Sequence, residues 1–285
     1  MSKEYTCLGM MSGTSGDGVD ASIIRSDGLD KFTILKEKYY EYDSNLFYEF
    51  HNLKRKINSF KDLQTFSTTI KKIENNITIF HAKAIKDISS DVDLDLIGFH
   101  GQTLYHSPKE KISLQLGNGN LLSQMSKKKI VFNFRKNDID NGGEGAPLTP
   151  IFHKYLLKSK KIKLPACILN IGGISNLTLI HNYDSFEILS RDIGPGNCLI
   201  NSWIQNHTKE KYDLGGRISG RGNVNKLILE QALETHENNF QNKNNISLDT
   251  NDFDISFSRG LNLEDGAATL TAFTAKIISS EINYF

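Results

Sequence analysis

The sequence has few of the residues that would suggest a disulfide framework, a zinc site or a nucleic-acid surface. Its three cysteines are scattered and odd in number, and neither a Cys-x-x-Cys pair nor a Cys/His metal spacing occurs. We expect these cysteines to be buried free thiols in a reducing compartment. The 34 basic and 33 acidic residues give a formal net charge of +1, whereas nucleic-acid-binding proteins usually carry a basic excess. This balance argues against a nucleic-acid partner.

Long apolar runs are also missing from the sequence. No stretch approaches the roughly 18 apolar residues of a membrane span. The N-terminus runs directly into the polar Ser12-Gly13-Thr14-Ser15 segment, without the apolar core of a secretory signal. We therefore expect a cytoplasmic protein with no membrane partner, and the oligomeric state stays open, with a homodimer as one alternative. The 285 residues, 38% of them hydrophobic, can build one large domain or two ordinary ones.

Hydrophobic periodicity predicts a mixed α/β chain. Strands are predicted at residues 5–10, 19–24, 32–42, 94–99, 112–116 and 130–134, at 166–180 around a Gly-Gly turn, and at 186–192. Helices are predicted twice within 44–90, over 148–157 with Pro147 in the first turn, after Gly196 through Trp203, and over 265–282. A strand–glycine turn–strand pattern near residue 10 recurs near residue 172. This repeat predicts two related α/β domains facing a cleft, at 1–147 and 148–285.

The first glycine turn, in GMMSGTSGDGVDASIIRS at residues 9–26, contains the small residues of a phosphate-binding loop. A Walker loop needs a Lys and a following helix, and a Rossmann fingerprint also needs the helix. Here no Lys is present and a strand is predicted to follow. Successive N–H groups of a hairpin can still bind phosphate, although an ordinary hairpin has the same composition. Asp17 or Asp20 could hold Mg²⁺ together with water and phosphate oxygens.

A second hairpin and an aspartate complete a candidate nucleotide site. NIGGISN, at residues 170–176, predicts a second phosphate hairpin. Asp192 in RDIGPGN stands at a predicted strand end, where a carboxylate can act as a general base. An Asx turn or a helix cap is the alternative for Asp192, and Asn197 could cap the next helix. The predicted nucleotide-binding residues are Gly13, Thr14, Ser15, Gly16, Asp17, Gly18, Val19, Asp20, Asn170, Gly172, Gly173, Ser175 and Asn176.

Polar residues of other loops are candidate substrate contacts. Arg135 can bind a carboxylate or phosphate bidentately, or it can form an internal ion pair with Asp138 or Glu144. His100 and Gln102 can hydrogen-bond a polar substrate, although a lone histidine is more often structural. The predicted substrate-binding residues are His100, Gln102, Arg135, Asp138, Gly194 and Asn197.

Together these motifs resemble the 1,6-anhydro-N-acetylmuramic acid kinases, members of the actin/hexokinase/Hsp70 ATPase superfamily. Eight motifs follow the family order between residues 7 and 275: GMMSGTSGDGVDAS, GFHGQTLYHSP, QLGNGNLLSQ, FRKNDIDNGGEGAPLTPIFH, LNIGGISNLT, DIGPGN, YDLGGRISGRGNV and LNLEDGAATLTAFTA. The resemblance implies two actin/hexokinase-like (ribonuclease H-like) domains around a cleft. It also implies an ATP- and Mg²⁺-dependent kinase that opens 1,6-anhydro-N-acetylmuramic acid and forms N-acetylmuramic acid 6-phosphate in peptidoglycan recycling.

The resemblance also assigns roles to individual residues. Residues 13–20 and 170–176 would contact the ATP phosphates. Asp192 would be the base that activates water for attack on the anomeric carbon while the sugar O6 takes the γ-phosphoryl group. Arg135 and Asp138 would lie near the sugar.

Three departures from the family pattern lead to further expectations. Glu144 replaces the usual Gln, and residues 245–247 (Asn-Ile-Ser) stand where the family has Pro-Lys-Ser, so a phosphate-reaching Lys is absent. The chain ends at Phe285, ahead of the Gly-Gly-Gly adenosine loop of the family. This end predicts a truncated, incomplete second domain in which the 265–282 helix exposes an apolar face. The alternatives to an active anhydrosugar kinase are therefore a truncated, inactive remnant or sugar-binding pseudoenzyme, and a kinase for another sugar on the same fold.

Overall fold

The computed structural model describes residues 3–13, 15–29, 31–107, 109–184, 188–240, 248 and 250–284. The chain divides into two compact units, Met1–Leu148 and Thr149–Phe285. Each unit combines strands and helices, so the fold is mixed α/β. Thr14 and residues 245–247, which carry predictions made from the sequence, lie outside the described residues.

The first unit is built around a mixed sheet. Its elements are β1 (Tyr5–Ser12), β2 (Gly18–Ser26), β3 (Phe32–Glu41), α1 (Ser44–Lys54), α2 (Phe60–Thr65), α3 (Ser67–Ile88), β4 (Leu96–Ser107), β5 (Ile112–Leu116), α4 (Gly119–Ser126), β6 (Ile130–Val131) and α5 (Phe134–Asp140). Within the described residues the strand order is β3-β2-β1-β4-β5, with β6 beside β4. Strands β1 to β3 form an antiparallel meander, and β4 returns parallel to β1 after the helical crossover. This order places β1, the first strand of the predicted meander, at the centre of the five-strand order.

Alternating burial explains how this unit forms its core. Leu8 and Met10 of β1 and Ile23 of β2 are buried. They lie on the same face of the sheet, because successive side chains of a strand point to opposite faces and Leu8 is paired with Ile23. Helix α3 covers them with a buried face that includes Ile73 and Ile77. Fully burying an aliphatic side chain of this size contributes about 1.5–3 kcal/mol, so this face stabilises α3 on the sheet.

The second unit combines a small antiparallel sheet with helices. Its elements are α6 (Pro150–Ser159), β7 (Ala166–Ile171), β8 (Ile174–Ile180), β9 (Leu189–Pro195), α7 (Cys198–His207), α8 (Lys226–Phe240) and α9 (Leu263–Tyr284). Within the described part of the unit the strand order is β7-β8-β9, with both pairs antiparallel. The strand–Gly-Gly–strand hairpin predicted from the sequence is therefore present.

The apolar face of α9 is buried, which contradicts the exposure expected for it. Leu270 is fully buried, Phe273 and Ile277 are each 4% exposed, and Ile278 is 7% exposed. Three of these side chains belong to a core shared with residues of α7 and α8, and Ile278 packs with residues of β8 and β9. The prediction is therefore wrong for these residues, because elements of the same unit cover them.

Several element boundaries also differ from the predictions. The single helix predicted after Phe60 is divided at Phe66 into α2 and α3. Residues 100–107 continue β4 rather than forming a loop, because they pair with β5. The strand predicted at 130–134 has two residues and is followed by α5, which places Asp138 in a helix. Helix α6 begins at Pro150, not near Pro147, and proline suits that first helical position.

Candidate active site

The tip of the β1–β2 hairpin is held by its own backbone and side chains. The Gly16 N–H donates to the Gly13 carbonyl at 3.1 Å, and the Tyr42 N–H donates to the Asp17 carbonyl at 2.8 Å. The Ser15 hydroxyl donates to Asp17 Oδ1 at 2.7 Å. The Gly16 amide is therefore used inside the turn, which differs from the predicted nest in which it faces phosphate.

At two positions of this hairpin any side chain larger than that of glycine would clash with its neighbours. Gly16 has a φ of +62°, and a Cβ there would lie 2.4 Å from Cε1 of Phe50. A Cβ at Gly18 would lie 2.4 Å from the Tyr40 carbonyl oxygen. Glycine allows the left-handed conformation at the first position and the close backbone approach at the second. The small residues of SGTSGDG therefore let the hairpin pack closely on α1 and β3.

Asp17 and Asp20, the alternative metal ligands predicted from the sequence, are close enough for the charge of Asp17 to affect Asp20. Asp17 is half-buried and Asp20 is largely exposed. Burial, and then the negative charge of Asp17, raise the pKa of Asp20. Among the described residues no group of three or more His, Cys, Asp or Glu side chains could hold a metal ion. The aspartate pair therefore fits only a cation such as Mg²⁺ that takes its other ligands from water and phosphate.

Gln102 binds the hairpin rather than lining a surface. It is fully buried. Its Nε2 donates to the Gly13 carbonyl at 2.8 Å, and its Oε1 accepts from the Tyr42 hydroxyl at 3.4 Å. The predicted direct contact of Gln102 with a substrate does not fit this buried position.

The structure brings His100, Arg135 and Asp138 together around Gly145. Arg135 Nε donates to His100 Nε2 at 2.9 Å, and Arg135 Nη1 donates to the Gly145 carbonyl at 2.9 Å. Asp138 Oδ2 accepts from the Gly145 N–H at 2.7 Å. These bonds hold residues 142–145, the GGEG turn that contains Glu144, against α5 and β4.

The Arg135 bond also fixes the protonation state of His100. Because Nε2 accepts from the guanidinium, the proton of the neutral ring is on Nδ1, which lies 2.6 Å from the Gly101 carbonyl. Burial, and then the Arg135 charge, lower the pKa of His100 to about 4. His100 is therefore neutral near pH 7 and contributes a hydrogen-bond acceptor to Arg135.

In the second unit, the β7–β8 hairpin is attached to the start of α7. The Gly172 carbonyl accepts from the Asn197 N–H at 2.7 Å, and the Gly173 carbonyl accepts from the N–H groups of Gly196 and Cys198 at 2.9 and 3.2 Å. A Cβ at Gly196 would lie 2.3 Å from the Gly172 carbonyl oxygen. The turn therefore requires glycine at residue 196.

Two side chains around this second turn donate to backbone carbonyls of the protein. Asn197 occupies the predicted N-cap position of α7, but its side chain makes no capping hydrogen bond and instead donates to the Ile171 carbonyl at 3.2 Å. Ser175 is buried, and its hydroxyl donates to the Pro195 carbonyl at 3.2 Å. Asn170 and Asn176 are paired across the hairpin.

Asp192 lies inside β9, next to a bulge, and not at the strand end that was predicted. It is opposite Asn176, and the next pair, Gly194 with Ser175, leaves Ile193 as an extra residue in β9. Such bulges often re-aim side chains next to active sites. The half-buried Asp192 carboxylate accepts from the Leu248 N–H at Oδ2, at 2.8 Å. Nothing in the sequence pattern identified Leu248 as its partner.

Gly194, predicted to contact substrate, is buried beneath α9. Its φ is +149°, and a Cβ there would lie 2.6 Å from Cγ2 of Ile277. A side chain at this position would therefore push α9 away from the strand that carries Asp192.

These features define a mixed α/β protein with a tightly held glycine hairpin in each unit and a hydrogen-bonded, half-buried aspartate next to the second hairpin. The chain belongs to the anhydro-N-acetylmuramic acid kinase family, because the family AnmK (Anhydro-N-acetylmuramic acid kinase) matches residues 5–285. The resemblance of its eight motifs is thereby confirmed.

Individual relatives agree with this membership. The anhydro-N-acetylmuramic acid kinase of Pelagibacter ubique is 52% identical over 284 residues, which are 99% of this chain and 76% of the relative. That of Agrobacterium fabrum is 35% identical over 291 residues, covering 100% of this chain and 77% of the relative. These matches favour an anhydrosugar kinase over a remnant, a pseudoenzyme or a kinase for another sugar. The chain spans about three quarters of the length of these two relatives.

A structural comparison and the apolar character of the helices complete this description. A solved structure of the Aquifex aeolicus PPX-GPPA enzyme covers 84% of this chain and 64% of that chain, at 11% identity and a TM-score of 0.35, which is too low to carry an argument. In the part of the chain that the structure describes, no helix has the length and apolar character needed to cross a membrane.

Proposed function

We propose that this chain is an ATP-dependent kinase that opens 1,6-anhydro-N-acetylmuramic acid by hydrolysis and phosphorylates it to N-acetylmuramic acid 6-phosphate in peptidoglycan recycling. Membership of the anhydro-N-acetylmuramic acid kinase family over residues 5–285 carries this proposal. We place the activity in the cytoplasm and interpret each unit as an actin/hexokinase-like domain. A homodimer stays a prediction.

The reaction couples hydrolysis to phosphoryl transfer. The water oxygen forms a bond to the anomeric carbon as that carbon's bond to O6 breaks. O6 forms a bond to the γ-phosphorus as the bond to ADP breaks, and the water proton goes to a carboxylate. We assign this base to Asp192, because the Leu248 amide holds Oδ2 at 2.8 Å and so orients a half-buried carboxylate.

We assign the ATP phosphates to the two glycine hairpins, residues 13–20 and 170–176. Their support is the close packing that glycine permits, because a preorganised backbone loses little freedom when it binds an anion. Asp17 or Asp20 would hold Mg²⁺, which neutralises phosphate charge during phosphoryl transfer when it is bound. Burial, and then the negative charge of Asp17, raise the pKa of Asp20, and a cation beside this pair would offset both effects.

We assign the sugar side to His100, Arg135 and Asp138, with the exposed Asn197 as a further contact. The buried Gly194 would act indirectly, by letting α9 pack on the strand that carries Asp192. The support is the hydrogen-bonded group around Gly145, which holds a guanidinium next to a polar turn. Arginine is well suited to bind the carboxylate of a muramic acid, because its planar fork matches two carboxylate oxygens.

Replacing Asp192 tests the proposed base. Asp192→Asn keeps the side-chain volume and the Oδ acceptor but removes the ability to take a proton. With ATP and 1,6-anhydro-N-acetylmuramic acid as substrates, we expect kcat for ADP release to fall by at least about a hundredfold. The fold, followed by circular dichroism, and the affinity for ADP, measured by calorimetry, should not change.

Asp184→Asn is the matched control, because Asp184 is an exposed aspartate of the same unit. It should turn over like the wild type. An Asp192→Asn variant that keeps more than a tenth of the wild-type kcat would rule out Asp192 as the base. A wild-type protein that turns over neither substrate would reject the proposed activity itself.

A further inference from the structure

Four polar side chains are buried in the first unit behind the tip of the β1–β2 hairpin. Ser12, Tyr42, His81 and Gln102 are between 0% and 4% exposed, next to the apolar core of this unit. Burying a polar side chain costs free energy unless it is hydrogen-bonded. Four buried polar side chains at one place therefore need hydrogen-bond partners to offset this cost.

Gln102 connects this cluster to the hairpin. Its Nε2 donates to the Gly13 carbonyl at 2.8 Å, and the same carbonyl accepts from the Gly16 N–H at 3.1 Å. Its Oε1 accepts from the Tyr42 hydroxyl at 3.4 Å. The glycines of the tip have no side chains with which to fix their own backbone, so Gln102 supplies this hydrogen bond from a neighbouring strand.

The other end of the cluster is attached to α3. His81 Nδ1 lies 2.8 Å from the Ile77 carbonyl, and His81 Nε2 lies 3.4 Å from Ser12 Oγ. Ser12 Oγ in turn lies 3.2 Å from the Tyr42 hydroxyl. One series of contacts therefore runs from the α3 backbone through three buried side chains to Gln102.

A bulge in β4 places Gln102 in this series. Met10 of β1 is opposite Phe99, whereas Ser12 is opposite Gln102, so β4 contains one extra residue. Gly101 has a φ of +74°, and a Cβ there would lie 2.6 Å from the Leu116 carbonyl oxygen. The extra residue changes the alternation of the strand. As a result Gln102 faces the core beside Ser12.

We propose that Gln102 is a positioning residue for ATP. It fixes the Gly13 carbonyl, and through it the backbone of the phosphate hairpin, before the nucleotide binds. This inference rests on the proposed role of residues 13–20 in binding the ATP phosphates. The competing explanation is that the buried cluster only stabilises the first unit.

The KM values for the two substrates separate these explanations. Gln102→Leu keeps most of the side-chain volume but removes both hydrogen bonds. We expect it to raise the KM for ATP and the Kd for ADP about tenfold, the equivalent of about 1.4 kcal/mol. The KM for 1,6-anhydro-N-acetylmuramic acid should change by less than about twofold.

Thr78→Val is the matched control. Thr78 is also fully buried in this unit, accepts from the Asn118 N–H at 3.0 Å and donates to the Glu74 carbonyl at 2.7 Å. Its loss removes buried hydrogen bonds that do not lead to the hairpin. We expect lower stability in Thr78→Val with an unchanged KM for ATP.

Three results of these measurements would overturn the proposed role of Gln102. It is overturned if a folded Gln102→Leu enzyme keeps the wild-type KM for ATP, if both substrate KM values rise equally, or if Thr78→Val gives the same rise for ATP. Should Gln102→Leu not fold, Tyr42→Phe removes the hydroxyl that donates to Gln102 and contacts Ser12, and leaves the Gln102 side chain in place. That variant must then raise the KM for ATP about threefold, and an unchanged value overturns the inference. The proposed function fails separately, through absence of wild-type turnover.

Discussion

Arg135 is held at two points before any ligand binds. Its Nε and Nη1 groups donate to a neutral imidazole and to a backbone carbonyl, both at 2.9 Å. A neutral His100 accepts a hydrogen bond from Arg135 without a charge of its own, and the planar guanidinium has the geometry to bind a carboxylate on the sugar. Lysine carries the same charge but presents it as a single point on a flexible chain.

We therefore expect Arg135→Lys to weaken sugar binding selectively. Lysine cannot reach His100 Nε2 and the Gly145 carbonyl with one planar group, so the GGEG turn loses a fixed contact. The KM for 1,6-anhydro-N-acetylmuramic acid should rise about tenfold, the equivalent of about 1.4 kcal/mol, while the KM for ATP stays within about twofold. Steady-state kinetics with each substrate varied in turn measures both values.

The neighbouring Lys136 provides the control for this substitution. Lys136 is 61% exposed and pairs with Asp140 on the surface of α5, and such exposed pairs contribute little. Lys136→Ala should keep both KM values. A larger effect on ATP than on the sugar in Arg135→Lys would contradict the assignment of Arg135 to the sugar side.

The residue types of the candidate site could be predicted from the sequence, but their partners could not. Glycine turns, Asp192 and Arg135 are recognisable as local patterns. Gln102 was expected at a substrate and is instead bound to Gly13, 89 residues earlier in the sequence. Leu248 is 56 residues from Asp192. Hydrogen bonds over such separations depend on how the strands and loops pack, which local composition does not encode.

Among the elements, α9 illustrates how a glycine inside a helix can be required for packing. Gly266 is buried, and a Cβ there would lie 2.1 Å from Cζ2 of Trp203. The Trp203 indole N–H donates to the Leu263 carbonyl of the same helix at 2.9 Å. In an exposed helix, alanine would be favoured over glycine by about 1 kcal/mol. Here steric overlap with Trp203 outweighs that preference.

Gly266→Ala should therefore destabilise the second unit, by about 1–3 kcal/mol, as overpacked core substitutions do. Trp203 is the single tryptophan of the chain, so its fluorescence reports the unfolding of this unit in urea. Gly220→Ala is the matched control, because no atom lies within 4 Å of a Cβ at that position. A Gly266→Ala variant as stable as Gly220→Ala would show that Trp203 moves aside without cost.

Elements with regular periodicity were predicted best. The strands of both hairpins and α9 follow their sequence patterns closely, because burial on one face imposes a period of two or 3.6. The predictions are wrong where packing against a neighbouring element determines the length or the burial of a segment. Strand β4 continues through Gly101 because β1 and β5 pair with it on either side. The face of α9 is buried because α7, α8 and β9 pack on it, which the sequence did not reveal.

At the scale of the whole molecule, both units contain histidines whose pKa is lowered by burial. Burial is the main cause that lowers the pKa of His81 and His100 in the first unit, and of His236 in the second, to about 4. An unfolded histidine has a pKa of about 6.5. Between these values the unfolded chain binds more protons than the folded chain. The free energy of unfolding therefore falls as the pH drops from about 6.5 towards 4, and it is independent of these histidines above that range.

We expect this window to appear in urea unfolding measured between pH 7 and 5. For His81, which is fully buried, the loss should be on the order of 2 kcal/mol by pH 5. Aspartates with a lowered pKa, such as Asp213, act at lower pH, because their contribution is lost only below the ordinary carboxyl range. His81→Gln should reduce the pH dependence of the first unit, since glutamine does not titrate. A stability independent of pH between 7 and 5, or an equal slope in His81→Gln, would mean that the buried histidines gain protons without unfolding the chain.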